Sequence, residues 1–217
     1  MTRSYALVNL KPGVGKSTSA VFLAAALAEA GQDPLFVDAD KGKTGLRWDE
    51  LAGGLGYPVV HKPTKTLHSA LPDMARRHGS IVLDVPQVED HAAIARSACR
   101  FADTWVLPFA PAGVEVDRVF ADDRLTDFLE DTQSLRHKPA RVVVLLNRTN
   151  TLRPTRTGPD AEVREVLAEM GWHVLTTQIP QHDGQYRQTF GTKIRAIGTP
   201  FQRLLTELTE LENGGGA

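Results

Sequence analysis

Eight residues near the start of the chain, Lys11-Pro12-Gly13-Val14-Gly15-Lys16-Ser17-Thr18, limit the folds open to it more than any other feature. They follow an apolar run, Tyr5–Leu10, and lead into a helix-like run, Ser17–Ala30. A chain that turns from strand to helix within a few residues points several backbone N–H groups at one spot. The helix N-terminus adds partial positive charge there, so a polyphosphate is the natural occupant. Gly13 and Gly15 let the backbone approach closely, with Val14 between them and Thr18 closing the first turn. Lys16 can reach the outer phosphates, and the Ser17 hydroxyl can ligate Mg²⁺. The strict pattern has glycine where Leu10 stands, so this loop is a variant, and its distinguishing mark is a second lysine, Lys11, at the front.

The 217 residues suit one α/β domain, expected over 1–212, with 213–217 as a frayed tail. A net charge of −1 argues against a nucleic-acid binder by bulk charge, so any DNA affinity must come from a local patch. Cys99 is the single cysteine, which excludes a disulfide framework and a cysteine metal cage; with Ala98 and Phe101 beside it, it reads as a buried thiol. The histidines show no metal-binding spacing. The first ten residues lack the pattern of a secretory signal, and no run approaches the roughly 18 apolar residues of a membrane span. A cytoplasmic protein is expected.

Strand-like runs alternate with helical patterns. The strands are expected at Tyr5–Leu10, Pro34–Asp38, Pro58–His61, Ile81–Val85, Thr104–Pro108, Val142–Asn147 and His173–Leu175. Helices are expected at Ser17–Ala30, Lys43–Leu51, Leu67–Arg77, Asp90–Arg100, Val114–Leu135, Pro159–Met170 and Pro200–Glu212. Gly31 and Gly171 stand where left-handed C-caps belong. The alternation implies a doubly wound, mostly parallel sheet flanked by helices. Ligands of such sheets bind outside the C-terminal strand ends, which puts the phosphate loop, Asp38, Asp40, Asp84 and Asn147 on one rim. The stretch 148–159, with Arg148, Arg153 and Arg156, emerges on that rim.

Two apolar strands end in carboxylates. In Leu35-Phe36-Val37-Asp38-Ala39-Asp40 the two Asp residues share a side if the strand continues, and they repel unless a cation lies between them or one turns into the loop. Ser80-Ile81-Val82-Leu83-Asp84-Val85-Pro86 places another Asp at a strand end, where it can hold a Mg²⁺-bound water or Ser17.

These three segments resemble the ParA/MinD family of deviant-Walker ATPases, a P-loop fold of the SIMIBI kind. The resemblance implies ATP and Mg²⁺ as cofactors and a weak ATPase. It implies that Lys11 crosses the interface of an ATP-bound homodimer to touch the partner's phosphates. It places Asp40 as the residue that orients the attacking water, Asp38 near the metal shell with Ser17, and Asp84 as the metal carboxylate. Asn147 matches a position that bonds adenine in relatives, though it reads equally as a turn Asn bonded to its own backbone. Arg148, Ile179, Pro180 and Gln181 are expected near the base on resemblance alone. Pro12 departs from a family glycine and removes one N–H donor. Lys41 replaces a usual proline; with Lys43 it either neutralises Asp40 or stays solvated.

The small partition members look most similar. Their pattern implies nonspecific DNA binding by the ATP dimer, association with the nucleoid, and release by a ParB-like centromere-binding partner. Arg148, Arg153, Arg156, Lys193, Arg195 and Arg203 are the candidate phosphate contacts. Three alternatives stand beside this. A MinD-like membrane switch would use the amphipathic run Pro200–Glu212, but Glu207, Glu210 and Glu212 oppose anionic lipid and core packing suits the stripe better. A metabolic ATP-dependent enzyme would need an acceptor pocket for which no constellation is visible. A polymerising scaffold with negligible turnover is the third.

Overall fold

The computed structural model describes residues 2–111, 123–182, 186 and 188–214. In chain order the elements are β1 (Arg3–Leu7), α1 (Lys16–Glu29), β2 (Pro34–Asp38), α2 (Thr44–Ala52), β3 (Val59–His61), α3 (Leu67–Ala75), β4 (Ser80–Asp84), α4 (Val88–Phe101), β5 (Thr104–Phe109), α5 (Arg124–Ser134), β6 (Arg141–Thr149), α6 (Pro159–Glu169), β7 (Ile179–Pro180) and α7 (Pro200–Gly214). The strands form one sheet in the order β3-β2-β4-β1-β5-β6-β7, and every pairing is parallel. The central strands are buried along their whole length, which is why they read as continuous apolar runs instead of alternating ones.

Each face of the sheet has its own core. Ala6, Leu35, Val37, Ile81, Leu83 and Trp105 pack with residues of α3, α4, α5 and α6. Tyr5, Leu7, Phe36, Val82 and Val106 pack with α1, Trp48 of α2, and α7. Helix α1 is apolar nearly all round, with residues 19–27 buried, because it is sandwiched between the sheet and α7. Phe22 of α1 stacks on Phe201 of α7 at 4.9 Å between ring centroids. The apolar stripe of the last helix is therefore spent on the core, as the composition of its polar face implied. Gly31 and Gly171 do adopt positive φ after α1 and α6.

Four expectations need adjustment. The first strand starts and ends earlier than Tyr5–Leu10. Val8 still donates its N–H to the Val106 carbonyl of β5 at 3.0 Å, but Asn9 and Leu10 leave the ladder, and their carbonyls accept from the Val88 and Glu89 N–H groups at the start of α4. The expected strand His173–Leu175 makes only a single bridge, Val144 to Val174. Beyond it the Thr176 and Thr177 N–H groups donate to the Glu207 carboxylate at 2.6 and 2.8 Å, so no amide is left for a ladder, and pairing with β6 resumes at Ile179. Of the helix expected over Val114–Leu135, Arg124–Ser134 is helical, and 114–122 lie outside the described residues. The last helix runs on to Gly214, and 215–217 lie outside the described residues.

Candidate functional site

The loop between β1 and α1 crosses the C-terminal edge of the sheet. Gly15 caps α1 with φ 87°, and no side chain caps that end. Among the described residues, the N–H groups of 13–18 find no protein acceptor. A helix start left bare in this way is a standing anion site. Gly15 is needed twice over. Its φ belongs to the left-handed region, and a Cβ there would stand 2.3 Å from the Asn147 amide nitrogen. Lys16 is buried and arches over the loop, its Nζ donating to the Lys11 carbonyl at 2.9 Å. Burial pulls the Lys16 amine below its ordinary range, and the Asp84 and Asp40 carboxylates partly restore it.

Asp38 and Asp84 are partners in register on adjacent strands, β2 and β4. Asp38 is fully buried, and both its oxygens are engaged: Oδ1 accepts from the Asp40 N–H at 3.1 Å and Oδ2 from the Leu46 N–H at 3.0 Å. Burial raises its carboxyl, while those two amides pull the other way. Asp38 thus ties the loop and the first turn of α2 to the end of β2. Asp84 is 1% exposed, and neither oxygen has a partner within hydrogen-bond distance among the described residues. Burial and the neighbouring Asp38 push its carboxyl up to about 7, against the pull of the Ser17 hydroxyl and Lys16. Two orphaned carboxylate oxygens facing a serine hydroxyl fit a hydrated Mg²⁺, which takes few protein ligands and keeps several waters. Among the described residues no three His, Cys, Asp or Glu side chains converge as a metal cage, so carboxylate, hydroxyl, phosphate and water would have to share the ion.

Asp40 lies beyond the strand, turned into the loop as the repulsion argument required. It is half-buried, and its Oδ1 accepts from the Gly42 N–H at 3.3 Å. Lys41 and Lys43 are exposed, and neither forms an ion pair with Asp40 among the described residues, so the solvated reading of both lysines holds. Lys11 is half-buried at the mouth of the loop, with no carboxylate against its ammonium among the described residues.

On the other side of the phosphate loop lies a cleft of about 560 Å³. Gly15, Thr18, Ser19, Asn147, Arg148, Ile179, Pro180, Gln181, His182, Tyr186 and Phe201 line it. The structure thus brings the expected base-side residues together with the phosphate loop. Asn147 is buried, and its amide is already engaged. Its Nδ2 donates to the Val14 carbonyl at 2.9 Å, and its Oδ1 accepts from the Arg148 N–H at 2.9 Å. It lies in strand β6 and not in a turn, although its side chain does take a neighbouring backbone N–H, and it is also a strut between β6 and the phosphate loop, a role with no local signature. Arg148 sits at φ 59° where the pairing of β6 with β7 shifts register, a bulge that re-aims its exposed side chain at the rim. Ser19, His182 and Phe201 were not anticipated. Ser19 follows Gly15 by one helical turn, the one signal that could have found it. The loop 150–158 owes its shape to the buried Asp160, whose carboxylate accepts from the Asn150 and Thr151 N–H groups at 2.8 and 3.2 Å. Cys99 is fully buried, and burial pushes its thiol up to about 12, so it is inert packing.

The six candidate phosphate contacts, Arg148, Arg153, Arg156, Lys193, Arg195 and Arg203, are all exposed. No helix among the described residues is long and apolar enough to cross a membrane.

A family model, the CobQ/CobB/MinD/ParA nucleotide binding domain, matches residues 5–189. Maintenance of carboxysome distribution protein A from Gloeobacter kilaueensis is 37% identical over 115 residues, 52% of this chain and 52% of that protein. The match therefore spans about half the length of that curated relative. Among solved structures, apo McdA from Cyanothece superposes with a TM-score of 0.76 at 14% identity, over 96% of this chain and 100% of that one. Cobyrinic acid a,c-diamide synthase from Mycobacterium smegmatis, with bound ADP and magnesium, superposes with a TM-score of 0.73 at 18% identity, over 99% and 97%. At these identities the superpositions speak for the fold. With the matched segment running from β1 to beyond β7 and holding the phosphate loop, Asp38, Asp40, Asp84, Asn147 and Arg148, the chain belongs to the CobQ/CobB/MinD/ParA family of nucleotide-binding domains.

Proposed function

We propose that the protein is a Mg²⁺-dependent ATPase switch of the ParA type, which dimerises on ATP, binds DNA nonspecifically as the dimer, and is released when a ParB-like partner stimulates hydrolysis. Lys11 carries the reading. Among the described residues its ammonium meets no acid, and it stands at the mouth of a cradle of amides that find no protein acceptor there. The 13–18 amides bind the phosphates, Lys16 swings from the Lys11 carbonyl to the outer phosphate, and Ser17 and Asp84 hold the metal, Asp84 through water. Magnesium there supplies charge neutralisation across the phosphate oxygens. Asp38 keeps the loop in place, and Asp40 orients the attacking water. Positioning and charge compensation account for most of such a reaction, and a lysine arriving from the opposite subunit couples turnover to assembly.

Two exposed basic stretches, 148–156 and 193–203, favour DNA over lipid as the surface on which the dimer acts. Doubling the patch by dimerisation steepens both affinity and salt dependence. The burial of the α7 stripe speaks against its use as a membrane anchor. The relative named for maintenance of carboxysome distribution widens the range of cargo from a replicon to a protein assembly. The test is light scattering and DNA cosedimentation with ATP, ADP and no nucleotide. Wild type should dimerise and sediment with DNA in ATP alone. Lys11→Ala should keep nucleotide binding and lose both. Dimerisation retained by Lys11→Ala would overturn the cross-subunit role, and liposome binding in place of DNA binding would favour a MinD-like cycle.

A further inference from the structure

We infer that His61 is a positioning residue for Asp40, holding the loop that carries the water-orienting carboxylate. The inference rests on the assignment of Asp40 proposed above. His61 is the last residue of the edge strand β3 and lies in register with Asp38 of β2. Its Nε2 stands 2.9 Å from the Asp40 carbonyl oxygen. A carbonyl oxygen only accepts, so Nε2 carries a proton and donates.

The three residues that leave β2 are each gripped from a different neighbour. The Asp38 carbonyl accepts from the Lys62 N–H at 2.9 Å, the Ala39 N–H donates to the Asp84 carbonyl at 3.0 Å, and the Asp40 carbonyl takes the His61 imidazole. The first two are backbone ladder contacts that any sequence supplies. The third depends on a side chain, at the one residue of the three whose carboxylate faces the phosphate loop. The Asp40 carbonyl also accepts from the Lys43 N–H at 3.2 Å, within a turn whose surface is exposed. Losing His61 therefore leaves that carbonyl one partner, so the fold should survive while the angle of the loop is freed. An orienting contact behind a reacting group commonly governs rate by 10–100-fold, and misplacement of about 1 Å is enough to produce this. No charge change on His61 is required; what matters is a donor at the reach of Nε2.

The test is single-turnover hydrolysis of radiolabelled ATP, with nucleotide affinity measured separately by a fluorescent ATP analogue. His61→Ala should lower the rate constant about tenfold and leave affinity and melting temperature near wild type. His61→Gln, which places an N–H donor at a similar reach, should restore most of the rate, and His61→Leu should not. An unchanged rate in His61→Ala, or equal loss in the Gln and Leu variants, would overturn the inference. Asp40→Asn separates this from the underlying reading. If Asp40→Asn turns over normally, the assignment of Asp40 itself fails. If Asp40→Asn is dead while His61→Ala is unimpaired, only the positioning role fails.

Discussion

Asp38 and Asp84 make a controlled comparison within one molecule. Both are aspartates at the C-terminal ends of buried parallel strands, and they are register partners on adjacent strands. Their surroundings have opposite character. Asp38 has each oxygen met by a backbone amide; Asp84 has no hydrogen-bond partner for either oxygen among the described residues, with the Ser17 hydroxyl and Lys16 nearby. A buried carboxylate without partners is costly, and proteins keep one where something else completes it. The same division runs along the rim. The Asn147 amide and the Asp160 carboxylate are satisfied within the chain, and they hold loops in place. Among the described residues, the amides of 13–18, the Asp84 oxygens and the Lys11 ammonium have no such partner, which is what the proposed ligand and second subunit would supply. Satisfaction, more than residue type, separates scaffold from site.

The sharpest way to break this comparison is to remove the satisfied carboxylate. Asp38→Ala deletes two charge-assisted hydrogen bonds and leaves two buried amides unmatched, a loss of about 3–4 kcal/mol in stability. Chemical denaturation should show it without nucleotide present. If Asp38→Ala unfolds at the wild-type midpoint, Asp38 is not the anchor of α2. Gly45 makes the site exacting, because a Cβ there would meet the Phe36 ring at 2.3 Å and the Asp38 carboxylate at 3.3 Å.

Removing the unsatisfied carboxylate should act the other way. Asp84→Asn should cut Mg²⁺-dependent turnover about a hundredfold and yet raise the stability of the ligand-free protein at pH 8 by about 1 kcal/mol, or about 2–4 °C in Tm. The sign follows from linkage. The Asp84 carboxyl titrates at about 7 in the fold against an ordinary 3.8. Between about pH 4 and 7 the folded chain keeps a proton that the unfolded chain has released, so this group's contribution is full in acid, falls as pH rises through that window, and levels off above it. Thermal melts of the ligand-free wild type and Asp84→Asn across that range should differ in slope. Parallel profiles would mean that Asp84 is solvated and not poised for a ligand.

The sequence made the rim legible because its signals are local. A glycine-rich turn before a helix, Asp at the ends of apolar strands and Gly after helices each follow from short-range sterics and charge. The same logic identified the sheet as parallel, because strand-like runs alternate with helical ones and the interiors of β2, β4 and β5 are continuously apolar. What it could not reach depends on distant partners. The strand expected at His173–Leu175 stays a single bridge because Glu207, on another helix, takes the Thr176 and Thr177 amides that would extend it. The carboxylates Asp38 and Asp84 look alike in sequence, and what separates them is the pair of amides on Asp38, from Asp40 and from Leu46 of α2. His61 gave no signal at all, since a histidine ending a short strand is chemically silent until the Asp40 carbonyl comes beside it.

A third substitution tests the strut between the base-side cleft and the phosphate loop. Gly15→Ala forces a left-handed φ on a residue with a Cβ and drives that Cβ into the Asn147 amide. About 2 kcal/mol of stability should be lost, with nucleotide affinity. In Gly15→Ala combined with Asn147→Ala the collision is gone, so the double variant should be less damaged than the sum of the single ones. Strict additivity in a denaturation cycle would show that the two residues do not press on one another.

The smallest effect is expected at Arg148, which combines both halves of the comparison. Its backbone is strained at φ 59°, while its side chain is exposed and aimed along the rim by the bulge in β6. A non-glycine residue keeps such a conformation only where the surroundings or the function demand it. Arg148→Gly relieves the strain and should raise stability by about 1 kcal/mol. The same change removes one phosphate contact, so the dependence of DNA affinity on salt should shallow by about one unit of slope per subunit. Arg148→Lys separates the two effects, since it keeps the charge and the strain. A glycine variant that is more stable and binds DNA with an unchanged salt slope would assign the strained arginine to the architecture of the bulge and remove it from the DNA-binding face.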